Sequence, residues 1–409
     1  MIEPTSAAAA ATTSAVAACT TWWSLRRTAG ADLVGDEHEY AAVAEHRPGP
    51  APFQRMPGYP WLLRRCGTVR RARLTSAVGS VAATAAATAA AVRLAGGWAG
   101  LLAGLLMATA AERILLSARM WPDPLAAAGH AVLVAACLPG GPVPWWPAAI
   151  ATGALVVLRI DALATTACLA IALPGPWWQR AAVALSGVAA LLLASAWRRA
   201  RGARGPIDTT AWFNLRLAAG RLNLAGRSLE ADIADLAGRW DGEDDGTRRH
   251  EARRAAARLL RHPLRWAVQI LRRAAGLLGP DSFGRQRLLP SYPQRPAALV
   301  DLSLCLAGPA IVVLAAAGTV AAGAGPPAAL VGLQLLALAV LHTRTRYRAV
   351  LLPGLTVLAA AGIDGLREGR VAALVGAAIG LTLTALGAFA DPEGGKVAAH
   401  RRREWVGSL

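Results

Sequence analysis

Long runs of apolar residues, many of them alanine, alternate along this chain with short stretches that hold most of its charge. Charge gathers in residues 26–73, 198–297 and 391–405, and the runs between carry almost none. A run of about 14–25 apolar residues reads as a membrane span or part of one. The pattern predicts eleven, at 6–25, 74–92, 94–111, 124–138, 145–158, 160–173, 181–197, 298–322, 326–342, 349–364 and 371–390. Several are short for a hydrocarbon core about 30 Å thick, as expected of helices that are broken or that line a cavity. Trp22/Trp23, Trp145/Trp146 and Trp177/Trp178 fall at predicted span ends, where an amphipathic ring prefers the headgroup zone.

This segregation divides the chain into four parts. Residues 1–197 form an N-terminal transmembrane module, 198–297 an extramembrane and partly helical loop, 298–390 a C-terminal set of spans, and 391–409 a basic tail. Residues 6–25 are read as a first membrane helix, because no basic region precedes them as it would in a cleaved signal. Within the loop, Thr247 to Gly279 predicts two helices with Pro263 opening the second, the position where proline is tolerated. Leu264, Val268, Leu271, Ala275 and Leu278 share one face of that second helix, bordered by Arg265, Arg272 and Arg273. Such a helix either lies in the membrane interface or packs on the bundle. The expected fold is therefore an all-α, polytopic bundle with one long extramembrane helical segment.

Composition agrees with a membrane class. Apolar residues make up 55% of 409 positions and the mean hydropathy is +0.39, more apolar surface than a water-soluble chain could hide. The formal charge of +18 comes almost wholly from arginine. These arginines flank apolar segments and do not build a single basic domain, which argues against nucleic acid and for anionic lipid or phosphate as the partner. Five cysteines are scattered without a C-x-x-C pair, so neither a disulfide framework nor a zinc site follows.

Counting predicted crossings brings chemistry together. Asp36-Glu37-His38-Glu39-Tyr40 follows the first span, Arg119 to Asp123 comes two spans later, and Arg159-Ile160-Asp161 two beyond that. The long loop and then His342 to Arg348 follow at further even intervals, so all five elements are expected on one membrane face. Carboxylates and arginines gathered there suit a reaction that removes an acceptor proton and stabilises an anionic phosphate leaving group.

Asp36-Glu37-x-x-Tyr40, Arg55-Met56-Pro57-Gly58-Tyr59-Pro60, Arg119 with Asp123-Pro124-Leu125, Leu158-Arg159-x-Asp161-Ala162-Leu163, and Arg346-Tyr347-Arg348 before Pro353 occur in that order. The series resembles the family 39 type of polytopic glycosyltransferases, GT-C fold enzymes similar to protein O-mannosyltransferases and lipid A aminoarabinose transferases. The resemblance covers nearly the whole chain, although Arg198-Arg199-Ala200 lacks the Arg-Asn pair common in that family. It implies transfer of a sugar, mannose as a family-level guess, from a polyprenyl-phosphate donor. The acceptor would be a hydroxyl of a protein, glycan, lipid or secreted natural product at the outer face of the cytoplasmic membrane. It implies inversion at the anomeric carbon, with Asp36, or in second place Glu37, as base. Arg159, Arg346 and Arg348, with Tyr347, would hold the donor phosphate, a role suited to guanidinium because it pairs with phosphate through two parallel hydrogen bonds. Arg55, Tyr59, Arg119, Asp123, Asp161 and His342 complete the expected pocket.

Each of these groups also has a structural reading. Asp36 and Glu37 could be solvated loop acids, Asp123 a helix cap, Arg159 and Asp161 a local ion pair, and the Arg-Tyr-Arg loop a set of snorkelling side chains. No ligand cluster has metal spacing, although Asp36, Glu37 and His38 could together hold a weakly bound divalent cation. The rival function is a non-catalytic polytopic protein, a transporter or a degenerate scaffold. The many arginines after the first predicted span would by themselves place that side in the cytoplasm. Arginines that serve a lipid phosphate produce the same asymmetry.

Overall fold

The computed structural model describes residues 5–28, 31–47, 55–138, 144–200, 209–222, 229–281, 283–292, 298–323, 325–340 and 345–390. Every regular element among them is helical. In chain order these are α1 (Ser6–Arg27), α2 (Glu37–Ala44), α3 (Gly58–Cys66), α4 (Val69–Ala95), α5 (Gly97–Thr109), α6 (Ala111–Ser117), α7 (Asp123–Ala136), α8 (Trp145–Leu158) and α9 (Ala162–Ala172). There follow α10 (Trp177–Arg199), α11 (Thr209–Gly220), α12 (Leu229–Asp241), α13 (Asp245–Arg261), α14 (Pro263–Leu278), α15 (Ala298–Ala321), α16 (Pro326–Ala339), α17 (Arg348–Arg367) and α18 (Val371–Phe389).

All eleven predicted runs fall on helices, with 341 and 342 outside the described residues, but eleven full crossings do not follow. Among the described residues five helices, α4, α10, α15, α17 and α18, are long and apolar enough to cross a membrane, and α5 with α6 makes a sixth if that pair, bent by 55°, is a single broken span. α7, α8, α9 and α16 are apolar but hold only 11–14 residues. At 1.5 Å per residue they reach roughly 16–21 Å, well under the core thickness. α1 has the length and lacks the apolarity, because its alanines are interspersed with Thr and Ser.

The bundle closes around α17. Packed on α15 and on α4, α5 and α7, it is buried along almost its whole length, which joins the N-terminal and C-terminal modules in one core. Where α15 and α17 cross, a Cβ placed on Gly318 would overlap the Leu358 carbonyl oxygen, and one on Gly362 would overlap that of Leu314. The two backbones are in direct contact, the close approach that small residues permit between apolar helices.

A buried ion pair ties the start of α17 to α6. Arg348 is fully buried, bonded to Glu112 at 2.9 Å through Nε, and it donates to the carbonyls of Leu277 and Gly279. A charge enclosed this way is held by its partners, and loss of one leaves the other uncompensated.

The loop segment contains the predicted pair α13 and α14, with Pro263 at the start of the second. Asp244 caps α13 by accepting from the Thr247 amide at 2.7 Å. Of the predicted apolar face, Leu278 is buried, whereas Leu264, Val268 and Leu271 point away from the protein. The packed side of α14 is instead formed by Gln269, Arg273, Ala274 and Leu277, which meet α16 and α18.

Candidate active site

The first loop sets the position of Asp36. Gly35, at φ +57°, takes the left-handed conformation that turns the chain into α2, and Asp36 precedes the helix without using its side chain as a cap. Its carboxylate is left for longer-range partners. Oδ2 accepts from Arg346 Nη2 at 2.9 Å, and Oδ1 lies 3.2 Å from Arg55 Nη2. Arg55 also binds Glu39 through Nε and Nη2, at 3.2 and 3.0 Å, and donates to Thr210 Oγ1 at 3.3 Å.

A second charged group faces the first. Arg159, which follows α8, donates to Asp161 from Nε and Nη2 at 3.0 Å each and to Asp123 from Nη1 at 2.6 Å. The Tyr347 ring lies between the two arginines, 5.1 Å from the Arg159 guanidinium and 5.3 Å from that of Arg346. Arg346 is also within 5.0 Å of the Trp121 ring and 5.5 Å of Phe283, so its charge is held among aromatic faces. Both guanidiniums remain charged. Burial pulls their pKa down, but the neighbouring carboxylates, Asp161 and Asp123 for Arg159 and Asp36 for Arg346, outweigh it and raise both above the ordinary value.

These groups line one cavity of about 420 Å³, within the range of small-molecule sites. Asp36, Arg55, Tyr59, Asp123, Arg159, Asp161, Arg346 and Tyr347 all reach it. Burial raises the Tyr59 phenol well above its usual pKa, so it stays neutral, and its ring meets Tyr40 edge-on at 4.9 Å. Apolar side chains also line the cavity, among them Leu158, Ile160, Leu163, Ala337, Leu338 and Val340. An amphiphile with a charged head would find both of its surfaces matched there.

Three predicted site residues lie elsewhere. Glu37 is fully buried, paired with Arg119 at 3.0 Å, and accepts from the backbone amides of Met120 and Val34 at 3.0 Å each. Arg119 in turn donates to the Asp32 carbonyl at 2.8 Å and to Ser291. This pair fastens the first loop to the turn before α7 and does not line the cavity. Arg348 is held by Glu112 as described above, also away from it. His342 lies outside the described residues. Glu37 is turned into its ion pair with Arg119, and among the described residues no group of three His, Cys, Asp or Glu side chains could hold a metal ion.

Sequence reasoning missed one wall. Thr210, Ala211 and Asn214 of α11 line the cavity, so the segment between α10 and α15 contributes to its wall. An asparagine within the aromatic stretch Trp212-Phe213-Asn214-Leu215 was the available signal. Phe213 is buried against Trp240, with ring centroids 5.5 Å apart, which anchors α11 and fixes the side that Asn214 presents. No family model and none of the curated proteins matches this chain, so its chemistry has to be argued from this geometry.

Proposed function

We propose that the chain is a membrane glycosyltransferase of the GT-C type, moving a sugar from a polyprenyl-phosphate donor to an acceptor hydroxyl with Asp36 as base. The observation that supports it best is the Asp36–Arg346 pair inside a cavity lined by both charged and apolar side chains. In this reading the acceptor hydroxyl gives its proton to Asp36 while its oxygen attacks the anomeric carbon. The bond from that carbon to the phosphate oxygen breaks, and polyprenyl phosphate leaves with the electron pair. Arg346 is suited to receive that anion. Its Nε is buried without an acceptor among the described residues, whereas all three nitrogens of Arg159 are bonded to Asp161 and Asp123. The release of Asp36 from Arg346 when phosphate binds would free the base at the moment it is needed. Mannose remains the sugar suggested by the family resemblance, and the outer leaflet of the cytoplasmic membrane the expected location.

One observation favours a non-catalytic protein instead. Arg55, Arg159 and Arg346 are each already paired with a carboxylate, the state in which a degenerate site would also rest. Incubation of the purified protein with radiolabelled polyprenyl-phosphate sugars and membrane extract separates the two readings. Label reaching an acceptor with wild type and not with Asp36→Asn supports the enzyme. Absence of transfer from every donor by a folded wild-type protein sinks it.

A further inference from the structure

The outer surface of α13 and α14 carries a pattern the cavity does not use. Successive helical positions advance by about 100°, and on that wheel α14 divides into three sectors. The first packs on the protein: Trp266 Nε1 donates to the Val340 carbonyl at 2.9 Å and Arg273 Nη1 to the same oxygen at 3.1 Å, closing the end of α16. The second holds Leu264, Val268 and Leu271, which are 82%, 53% and 65% exposed, and Leu260 at the end of α13 continues it at 70%. The third is basic, with Arg265 and Arg272 exposed beside the leucines and Arg253, Arg258 and Arg261 exposed on α13.

What covers the stripe is indicated by its surroundings. α14 ends against α18, where Gly279 approaches Gly387, and α18 is one of the helices fit to cross a membrane. α18 exposes its own apolar side chains, Leu374, Ile379 and Leu386 among them. α14 therefore joins, at its C-terminal end, a surface already suited to lipid. A neutral leaflet would satisfy the leucines alone, and the adjoining row of arginines calls for negative charge at headgroup level.

We infer that α14 and the adjoining end of α13 lie in the headgroup layer of a leaflet containing anionic lipid. Leu260, Leu264, Val268 and Leu271 enter the acyl boundary, and Arg258, Arg261, Arg265 and Arg272 bind lipid phosphates. The inference is independent of any transfer reaction in the cavity.

The test uses full-length protein in lipid nanodiscs of phosphatidylcholine with or without phosphatidylglycerol. A polarity-sensitive fluorophore is attached at Leu264→Cys, after the five native cysteines are replaced by alanine, with a label at Arg239→Cys on α12 as the water-side control. The label at 264 should be shielded from iodide and quenched by lipids spin-labelled near the headgroup, while the control stays open to iodide. A label at 264 that is as accessible as the control overturns the assignment and leaves the stripe to a water-borne partner. A second measurement uses the native cysteines. The amount of phosphatidylglycerol retained through detergent purification should fall severalfold in the Arg258/Arg261/Arg265/Arg272→Gln variant. Unchanged retention overturns the anionic part of the assignment.

Discussion

Asp36 and Arg346 are 310 residues apart in the chain and 2.9 Å apart in space. Neither end of the molecule can build the cavity alone. Convergence of this kind must be justified by what the paired charges do, because an ion pair partly open to water adds little stability.

Asp36→Asn isolates the base. The amide keeps the shape of the side chain and can still accept from Arg346, so the fold and donor binding should survive. Turnover should fall by about 10²- to 10⁴-fold, the usual contribution of a positioned base. Parallel measurement of transfer and of donor binding checks this, and transfer retained at the wild-type rate removes Asp36 from the mechanism.

Arg346 and Arg159 should separate. Arg346→Gln removes the guanidinium that has a nitrogen to spare, so affinity for polyprenyl phosphate should drop roughly tenfold or more, the worth of one charge-assisted hydrogen bond. Arg159→Gln leaves Asp123, which is 1% exposed, without its cation. That change should act mainly on stability, by about 3–5 kcal/mol. Lipid-phosphate binding and thermal unfolding, measured on both variants, distinguish the two roles.

Much of this site was legible in the sequence. Asp36, Arg159 and Arg346 carry charge beside apolar runs, where burial is costly without partners; counting runs puts them on one face, and the family resemblance adds Arg55. Arg159 and Asp161 meet the other site residues although eleven crossings are not confirmed, because short helices such as α8 and α9 still bring these two residues to the cavity. The family resemblance places Glu37 and Arg348 in the pocket beside Asp36 and Arg346. Neighbours in sequence at a helix start point in different directions, so these two turn inward to Arg119 and Glu112. Glu112 gave no sign of this partnership, since a lone acid in an apolar run does not reveal which of many arginines it meets.

Arg348→Met follows from that distinction. Glu112, 4% exposed, would lose its cation, so the variant should be destabilised by about 3–5 kcal/mol while any protein that folds keeps its donor affinity. The double variant with Glu112→Gln should recover much of the loss, because no uncompensated charge remains. Thermal unfolding in detergent measures both, and a loss of donor binding by folded Arg348→Met protein would return this residue to the site.

Asn214→Ala tests the wall that α11 adds. An amide facing the cavity can both donate to and accept from sugar hydroxyls, which a single methyl cannot replace. Affinity for polyprenyl phosphate without a sugar should be unchanged, while the extra affinity conferred by the sugar should shrink. Titration of wild type and variant with both lipids gives the comparison. An equal change for the two lipids would place Asn214 outside headgroup recognition.

The unit that carries Asn214 should itself respond to acid. Glu243 is held by Arg216, with Nη2 to Oε1 at 2.9 Å, and this hydrogen bond keeps its pKa below the ordinary 4.5. Unfolded, Glu243 takes up a proton at a higher pH than it does when folded. The pair therefore supports the folded α11–α13 unit at any pH above 4.5, and that support disappears as pH falls through the lower folded-state value. Hydrogen exchange of α11 and α13, compared with Glu243→Gln at each pH, should show wild type better protected above this window and equal to the variant below it. Equal protection throughout would mean that the Arg216–Glu243 pair does not hold α11 at the cavity.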